Sequence, residues 1–251
     1  MPRQPLSAVV TTLDNAATLE ACLESLRFCD EIVLLDSGSA DATCAIAARF
    51  GARVFVEPFR GYGAQKQSAI DKARHDWVLL LDADEYLGGD ARRAIETELE
   101  APRADGYRLP RREWLFWRWP HPATRPNWHL RLFRRSQGAM NSVPIHAAPE
   151  VRGKVRNLAA EFRHFGEPEL AVRVDKINRY SSGLVAHKRA GAPRLLALRL
   201  LFYPGVAFLR FYFLQRYFLN GWAGYFAARS MAFYAFLKYA KVLEAERKER
   251  A

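Results

Sequence analysis

Trp77-Val-Leu-Leu-Leu-Asp82-Ala-Asp84-Glu85 is an uninterrupted apolar run that ends abruptly in three acidic residues. An apolar run without polar alternation is typical of a parallel strand that is covered by helices on both faces. Ligands of such sheets bind at the edge where the strands end. Asp82 and Asp84 lie one residue apart, so on an extended segment their side chains project to the same side. The stretch therefore predicts a buried strand whose end offers two carboxylates to a ligand.

The residues on either side of this run alternate short aliphatic segments with helical patterns. Such alternation indicates an α/β fold, with a mostly parallel sheet flanked by helices. The predicted strands are 6–12, 31–36, 52–56 and 76–81, and the predicted helices are 16–27, 39–50, 63–74 and 90–100. The acidic run is thus the end of the fourth predicted strand.

The pattern changes after residue 104 to short strands, predicted at 106–109, 129–133 and 151–158. Residues 110–127 form an irregular segment dense in Trp, Arg and Pro. A long irregular segment inside a compact domain is usually functional, and we interpret this one as an acceptor-side loop or lid. Beyond Pro168 the sequence predicts helices, first to about residue 190 and then over 193–242.

Positive charge is concentrated in the C-terminal part of the chain. The 251 residues carry a net charge of +11, but residues 1–151 hold 19 Lys and Arg against 20 Asp and Glu, whereas residues 152–251 hold 19 against 7. The cations are interspersed among Phe, Tyr, Trp and Leu, which suits an anionic membrane surface. A nucleic-acid partner is not expected, because no recognisable reading motif accompanies the charge.

The C-terminal apolar region is predicted to lie at a membrane surface and not to cross it. Its longest uncharged run, 200–209, is ten residues long and lies between Arg199 and Arg210, whereas a crossing helix needs about 20 residues. Regularly spaced cations within an aromatic stretch indicate helices in the headgroup zone, with their charged ends reaching water. The alternative is a helical pair that packs on the rest of the chain or on a second subunit of a homo-oligomer.

The cysteines and the N-terminal residues indicate the cellular compartment in which the protein is expected. Cys22, Cys29 and Cys44 lack the C-x-x-C spacing of a zinc or redox site and are interpreted as small core residues of a protein in a reducing compartment. The first residues contain no apolar segment of signal-peptide length. We therefore expect a cytoplasmic protein, peripheral at the inner face of the inner membrane.

Paired carboxylates at a strand end can bind a hard divalent cation that also bridges phosphate oxygens. Such an ion stabilises the charge of a departing nucleoside diphosphate. A solvated turn after a strand is the alternative for an isolated Asp-x-Asp, but its position after the fourth strand favours the functional interpretation. The segment Gly61-Tyr-Gly63 does not indicate a dinucleotide site, because it lacks the third glycine and follows the third strand.

Several motifs follow one another in a fixed order. They are Thr12-Leu-Asp14-Asn15, Cys22-Leu-Glu-Ser, Asp36-Ser-Gly-Ser-Ala-Asp41, Gly63-Ala-Gln65-Lys66, Leu81-Asp82-Ala-Asp84-Glu85, Asp105-Gly-Tyr-Arg-Leu-Pro-Arg111, Leu130-Arg131-Leu-Phe-Arg134, His146 and Lys176-Ile-Asn178-Arg179-Tyr180-Ser181. Together they resemble glycosyltransferase family 2, and within it the lipopolysaccharide core β-1,4-glucosyltransferases and their relatives. The resemblance covers nearly the whole chain.

The resemblance implies a GT-A fold, an inverting mechanism and a sugar-nucleotide donor. Residues 1–166 would form the catalytic domain, with a nucleotide-sugar half at 1–104 and an acceptor-side half at 105–166. Residues 167–251 would be a helical, membrane-associating extension. The implied reaction moves a hexose, best represented by glucose from UDP-glucose, onto a lipopolysaccharide-core or related lipid-linked glycan.

The resemblance also assigns roles to single residues. Thr12 and Asp36 would contact the nucleobase and ribose, Lys66 would support donor binding, and Asp82 would face the ribose. Asp84 would hold Mg²⁺ or Mn²⁺, and His146 would complete the metal site or touch the diphosphate. The remaining donor contacts implied by the matched motifs are Asp14 and Ala83.

Inversion needs a general base near the acceptor hydroxyl, and here the chain departs from the family pattern. Ala147 replaces a Glu that follows the histidine in relatives, and Asn127 replaces a common Asp. Three explanations stay open: another acid such as Glu85 or Glu150 acts as the base, the acceptor differs, or the protein binds a nucleotide sugar or glycan with little or no catalysis.

Overall fold

The computed structural model describes residues 2–143, 147–166, 169–190 and 195–250. The chain divides into two compact units. The first contains Met1–Arg112 and Asn127–Phe165, and the second contains Glu113–Pro126 and Gly166–Ala251. Residues 113–126, which sequence analysis placed with the catalytic domain, are thus part of the same compact unit as the C-terminal helices.

The first unit is an α/β structure, as predicted. Its elements begin with β1 (Leu6–Thr12), α1 (Ala16–Ser25), β2 (Glu31–Asp36), α2 (Thr43–Arg49), β3 (Arg53–Val56), α3 (Tyr62–Asp71), β4 (Trp77–Asp82), β5 (Glu85–Leu87) and α4 (Ala91–Glu100). They continue with β6 (Gly106–Glu113), β7 (Asn127–Arg134), β8 (Gly138–Met140), β9 (Pro149–Val151), β10 (Val155–Asn157) and β11 (Phe162–His164).

The main sheet has the strand order β3-β2-β1-β4-β7-β6-β11-β5, with β10 beside β6. The four strands from β3 to β4 are parallel, whereas β7 is antiparallel to both of its neighbours. The half of the sheet from β3 to β4 is therefore wholly parallel, whereas the other half is mixed, since β10 is parallel to β6 and β11 is antiparallel to β5. The single strand predicted over 151–158 is in fact two strands, because a turn with Gly153 at φ 117° separates β9 from β10.

Both faces of β4 are buried, which explains why its sequence lacks polar alternation. Leu79 and Leu81 lie in a core on one face of the sheet, together with residues of α1 and α4. Val78 and Leu80 lie in a second core on the other face, together with Ala69 and Ile70 of α3. Alternate residues of one strand thus anchor helices on opposite sides, and the strand end is held in a fixed place.

The second unit is mainly helical. It contains α5 (Leu170–Gly183), α6 (Val185–Ala190), α7 (Leu196–Leu209), a π-helical turn (Arg210–Leu214), a 3₁₀ turn (Tyr217–Asn220) and α8 (Gly221–Arg250). The helical region predicted over 193–242 is a hairpin, and its bend lies near Arg216, which has a positive φ of 60°.

Helical structure continues from α7 through the π-helical turn. The segment Leu196–Leu214 has 19 residues and a mean hydropathy of 1.4, so by length and composition it could cross a membrane. The sequence-based expectation of no crossing counted only uncharged residues and therefore stopped at Arg199 and Arg210.

The Trp-rich segment is ordered by contacts within the second unit. The buried amide of Asn220 accepts a hydrogen bond from the His121 backbone N–H (2.7 Å) and donates one to the Thr124 hydroxyl (3.0 Å). Phe116 packs with Ala223 and Ala227 of α8. Because β6 runs to Glu113 and β7 begins at Asn127, the irregular stretch is shorter than predicted. Its role as an acceptor-side loop stays a prediction.

Candidate active site

The register of the sheet brings three of the predicted site residues to one edge. Thr12 at the end of β1 pairs with Asp36 at the end of β2. On the other side of β1, Thr11 pairs with Asp82 at the end of β4. The carboxyl ends of three parallel strands are therefore level with one another. This is the edge where ligands bind in open α/β sheets.

Asp14 joins the loop after β1 to the loop after β2. Its backbone N–H donates to the Ser39 hydroxyl (2.8 Å), and its carboxylate accepts the Ala40 N–H (2.8 Å). Asp14 has a φ of 50°, a conformation that Asp adopts more readily than most non-glycine residues. The local hydrogen bonds therefore account for an Asp at this position, and its contact with a donor stays a prediction.

Asp36 is buried and shapes the turn that follows β2. One carboxylate oxygen accepts the backbone N–H groups of Gly38 (2.9 Å) and Ser39 (2.8 Å), and the other accepts the Ser39 hydroxyl. Thr12 is also buried, with its hydroxyl 3.3 Å from the Asn15 side-chain oxygen. Both residues therefore hold the loops of the edge in shape. Their contacts with a nucleobase and ribose stay predictions.

Asp82 is held between two cations. The Lys66 ammonium of α3 lies 2.6 Å from one carboxylate oxygen, and an Arg131 guanidinium nitrogen lies 3.5 Å from the other. Burial alone raises the pKa of Asp82, but the charges of Lys66 and Arg131 outweigh burial and hold the pKa well below its usual range. Asp82 is therefore ionised, and its charge is already compensated within the protein.

Glu85 faces the interior, with 1% of its side chain exposed. Its carboxylate accepts the Asp82 backbone N–H (3.1 Å) and lies 2.6 Å from an Arg131 nitrogen and 3.8 Å from an Arg111 nitrogen. Burial, reinforced by the charge of Asp82, raises the pKa of Glu85 despite the nearby Arg131. This carboxylate fixes Arg131 and the turn after β4, and such an enclosed position does not suit a base that must meet an acceptor hydroxyl.

Asp84 is placed differently from its two acidic neighbours. Its side chain is 34% exposed, and one carboxylate oxygen lies 3.1 Å from Nε2 of His164. His164 ends β11, which pairs with β5 in a register that sets His164 opposite Glu85. The tautomer of His164 determines whether its Nε2 donates or accepts in this contact. Sequence analysis missed His164, because no spacing rule connects it with a residue 80 positions earlier.

The pair of Asp84 and His164 fits a divalent cation that is shared with a phosphate group. Carboxylate oxygen suits Mg²⁺ and Mn²⁺, and an imidazole nitrogen suits a transition metal better than Mg²⁺. Among the described residues no group of three or more His, Cys, Asp and Glu could hold a metal ion. An ion at this edge would therefore need ligand phosphate oxygens and water in addition to these two side chains.

The segment after β8 packs on the beginning of α3. A Cβ atom on Gly63 would lie 3.0 Å from the Asn141 carbonyl oxygen and 3.2 Å from the Ala147 Cβ, so this approach depends on glycine. The Met140 N–H also donates to the Gln67 side chain (2.8 Å). Ala147 thus lies beside Gly63, which is one helical turn before Lys66 on α3. His146, predicted as a metal or diphosphate contact, lies outside the described residues.

The other predicted residues have simple positions. Glu150 is exposed on β9, where its carboxylate accepts a hydrogen bond from the Asn141 amide (3.2 Å). Ala83 is buried in the core between Asp82 and Asp84. Asn127 begins β7 opposite Arg111 of β6. The structure thus brings Asp82 and Glu85 together at Arg131, with Lys66 at the other oxygen of Asp82, and it sets Asp84 beside His164.

Comparison with known proteins identifies the family of the chain. The family model described as glycosyl transferase family 2 matches residues 7–149. The lipopolysaccharide core biosynthesis glycosyltransferase LpsC of Rhizobium meliloti is 34% identical over 254 residues, which cover 97% of this chain and 94% of that protein. An uncharacterised glycosyltransferase of Rickettsia felis is 28% identical and covers 96% of this chain and 90% of its own length.

Solved structures resemble smaller parts of the chain. S. aureus TarS in complex with UDP-GlcNAc gives a TM-score of 0.40 at 20% identity, over 48% of this chain and 38% of that chain. Glucosyl-3-phosphoglycerate synthase from Mycobacterium tuberculosis, in complex with Mn²⁺, UDP and glucosyl-3-phosphoglycerate, gives 0.37 at 25% identity, over 43% and 44%. The assignment rests on the family model and the near full-length relative: the chain belongs to glycosyl transferase family 2.

Proposed function

We propose that this protein transfers a hexose, with inversion, from a nucleoside diphosphate sugar to a lipopolysaccharide-core or related lipid-linked saccharide. UDP-glucose is the best single candidate for the donor, and Mg²⁺ or Mn²⁺ is the proposed cofactor. The observation that carries the proposal is the partly exposed Asp84 carboxylate beside His164, at the edge where β1, β2 and β4 end. The name of the Rhizobium meliloti relative supports the choice of acceptor class.

The charges at this edge suit a diphosphate leaving group. Lys66 and Arg131 compensate Asp82 and Glu85 inside the protein, so these acids add little repulsion toward an incoming anion. Asp84 and His164 would hold the divalent ion, which when bound supplies positive charge to the departing nucleoside diphosphate. The hydrogen-bonded loops of Asp14 and Asp36 would keep the donor side rigid during transfer.

The acceptor hydroxyl must lose its proton to a base as the sugar is attacked. Of the two carboxylates predicted for this role, Glu85 is enclosed with Arg131, and Glu150 is exposed. We therefore propose Glu150 as the first candidate to test. Glu150→Gln should lower the rate of transfer to an acceptor while leaving slow donor hydrolysis by water in place.

The direct test of the donor side is Asp84→Asn, measured as hydrolysis of UDP-, GDP- and ADP-sugars with Mg²⁺ or Mn²⁺. We expect the loss of at least about 2.7 kcal/mol of transition-state stabilisation, which is about a hundredfold in rate. His164→Asn should weaken activity with Mn²⁺ more than with Mg²⁺, because it removes the nitrogen ligand.

Asp90→Asn is the matched control, since Asp90 is an exposed residue of the same unit that precedes α4. This variant should keep wild-type activity. Full activity of Asp84→Asn with both ions would defeat the proposed metal role. A folded Asp84→Asn protein, shown by an unchanged unfolding midpoint, is needed for the comparison.

A second candidate function is binding of a nucleotide sugar or glycan without turnover, favoured by Ala147 where relatives have Glu. In that case calorimetry would detect UDP-sugar binding that Asp84→Asn weakens, and no product would form with any acceptor tested. Turnover by the wild-type protein would exclude this alternative.

The acceptor class also bears on location. A lipid-linked saccharide presents its sugar at a membrane surface, and the basic, aromatic second unit suits the anionic cytoplasmic leaflet. The proposed protein is therefore cytoplasmic and peripheral at the inner face of the inner membrane, with no nucleic-acid partner. A homo-oligomer formed through the same helices is the alternative use of this unit.

A further inference from the structure

One face of α7 and the following π-helical turn is a continuous apolar surface. Leu201 is 71% exposed, and no residue of α7 or of the turn is buried. Successive exposed residues are three or four positions apart, so they lie on the same side of the helix. They are Leu198, Phe202, Val206, Leu209 and Phe213. We call this set, with Leu201, the α7 face.

The composition of this segment excludes an ordinary water-exposed helix. Residues 195–214 contain no Asp, Glu, Asn, Gln, Ser or Thr, and their only charged residues are Arg199 and Arg210. A surface helix in water normally carries polar residues over its exposed half. The α7 face is therefore expected to contact another surface that shields it from water. Arg199 and Arg210 favour a surface that is negatively charged.

The opposite side of the same helix packs on α8. Tyr203 contacts Tyr239 with ring centroids 5.5 Å apart, and Phe208 contacts Tyr225 at 6.0 Å. The two helices therefore run side by side in opposite directions. A cover for the α7 face can approach only from the side away from α8.

Cations on α8 argue against insertion of the hairpin across a membrane. The Arg229 guanidinium lies 5.7 Å from the ring of Phe208, and the Lys238 ammonium lies 5.7 Å from the ring of Tyr203. Both rings belong to the middle of the Leu196–Leu214 segment, so a spanning α7 would carry both cations into the hydrocarbon. Charged side chains are rare and costly there. A helix lying in the membrane surface keeps them on the protein side.

Two exposed tryptophans of the second unit also suit a membrane surface. Trp222 is 70% exposed and Trp117 is 57% exposed, and both rings lie about 6.1 Å from that of Phe226. Trp and Tyr are enriched at the level of lipid headgroups, where one part of the ring is apolar and the other meets water. These two tryptophans belong to the same unit as the α7 face and suit the same headgroup zone.

We infer that the α7 face is the membrane-contacting surface of this protein, and that α7 lies in the plane of an anionic bilayer without crossing it. This inference deepens the membrane attachment in the proposed function and rests on it. The apolar side chains would enter the boundary between headgroups and acyl chains to a depth of about 5–10 Å. Arg199 and Arg210 would reach back to lipid phosphates.

The test is flotation of the full-length protein with vesicles of phosphatidylcholine and phosphatidylglycerol. Leu201→Glu/Val206→Glu places two charges on the α7 face at exposed positions, so the fold should be kept. We expect vesicle binding to fall about tenfold or more, because insertion of the face is prevented. Arg199→Gln/Arg210→Gln should weaken binding to the anionic vesicles but not to pure phosphatidylcholine vesicles.

The matched control is Leu170→Glu/Val172→Glu, which makes the same chemical change at exposed positions of α5 in the same unit. It should bind vesicles like wild type. Equal binding by the α7-face variant and wild type would overturn the inference. So would cleavage by trypsin at the hairpin bend near Arg216 only after the vesicles are opened by freezing and thawing, because only a crossing hairpin places its bend inside them.

A second copy of the chain is the competing cover, and ultracentrifugation without lipid detects it. A wild-type dimer that becomes monomeric in Leu201→Glu/Val206→Glu, with vesicle binding unchanged, would overturn the inference. Donor hydrolysis separates this inference from the proposed function. Loss of flotation by the α7-face variant with intact hydrolysis supports both, and unchanged flotation with intact hydrolysis rejects only the inference. Flotation of a wild-type protein that neither hydrolyses a donor nor transfers its sugar to any acceptor tested rejects only the transferase.

Discussion

The strand β4 and the helix α7 are both runs of large apolar residues, yet they have opposite surroundings. Leu79 and Leu80 of β4 are fully buried, each in the core on a different face of the sheet. Leu201 and Phe202 of α7 are exposed, although their side chains are as apolar. Hydrophobicity alone therefore predicts that a segment is shielded from water, but it does not show whether protein or something outside the chain shields it.

The difference lies in the neighbouring elements of each run. β4 lies between β1 and β7 with helices on both sides of the sheet, so protein covers it completely. α7 has α8 on one side, and its other side carries arginines among apolar residues. A run covered by protein can end in a fixed set of acids, as at Asp82 and Asp84. A run with one open face is suited to contact with something outside the chain.

The largest expected effect comes from making one substitution in both runs. Leu80→Asp would bury a carboxylate without a partner, costing several kcal/mol out of the about 5–15 kcal/mol that stabilise a domain. Leu201→Asp should change the unfolding free energy by about 0.5 kcal/mol or less, because the side chain is already exposed. Urea unfolding followed by circular dichroism measures both.

Similar destabilisation by the two variants would contradict this comparison, since it would mean that protein covers α7 in solution. The buffer must contain no detergent, because a micelle would bind the α7 face as a membrane would. Leu80→Met, which keeps the volume and the apolar character, should unfold nearly like wild type.

An intermediate effect is expected at the acids that end β4. Arg131→Met would leave the buried Glu85 carboxylate without its 2.6 Å partner, and breaking such a pair costs about 3–5 kcal/mol. Arg131→Met/Glu85→Gln should recover part of this loss, because the uncompensated charge is removed. Chemical unfolding of the two variants measures the difference.

Arg92→Met is the control for this pair. Arg92 is exposed and pairs with Glu96 one helical turn away on α4, so its loss should cost about 0.3–0.5 kcal/mol. If Arg131→Met proved as mild as Arg92→Met, the enclosed position of Glu85 would be wrong, and Glu85 would return as a candidate base.

The smallest expected effect is a change in acid sensitivity. The lowered pKa of Asp82 means that its ion pairs stabilise the fold above the unfolded-state value of about 4, and that this contribution is lost as the pH falls below that value. The raised pKa of Glu85 affects stability in the opposite direction, because its contribution to stability is lost as the pH rises through the raised value. Asp82→Asn should therefore lose less stability on acidification than wild type.

Unfolding curves recorded at a series of acid pH values measure how steeply the unfolding free energy falls with pH. Lys66→Gln should also make this fall less steep. The double variant should change the steepness by less than the sum of the changes in the two single variants. An unchanged slope in Asp82→Asn would mean that the Lys66 ion pair does not form in solution.

Much of the fold could be predicted because its signals are local. The parallel strands β1 to β4 can be recognised in the sequence as short aliphatic runs, and the structure contains all four. The later strands were harder to predict, since β5 and β8 to β11 have three residues each. Such short strands have no periodicity of their own and form only where a neighbouring strand offers hydrogen bonds.

The candidate site divides in the same way. Asp82 and Asp84 could be found because they follow a recognisable strand, and Lys66 because it belongs to a recognisable motif. Sequence could not show that Glu85 faces the interior, because the turn after β4 and the charge of Arg131 decide that orientation. His164 was missed because strand pairing between β5 and β11 brings it to Asp84.

The sequence by itself determined the family, the α/β order of elements and the place of the acids at the end of the fourth strand. These follow from periodicity, from motif order and from the direction in which parallel strands end. Tertiary structure alone decided which acids pair with cations, which histidine meets Asp84 and which side of α7 faces away from protein. Such contacts join residues far apart along the chain, and packing sets their distance.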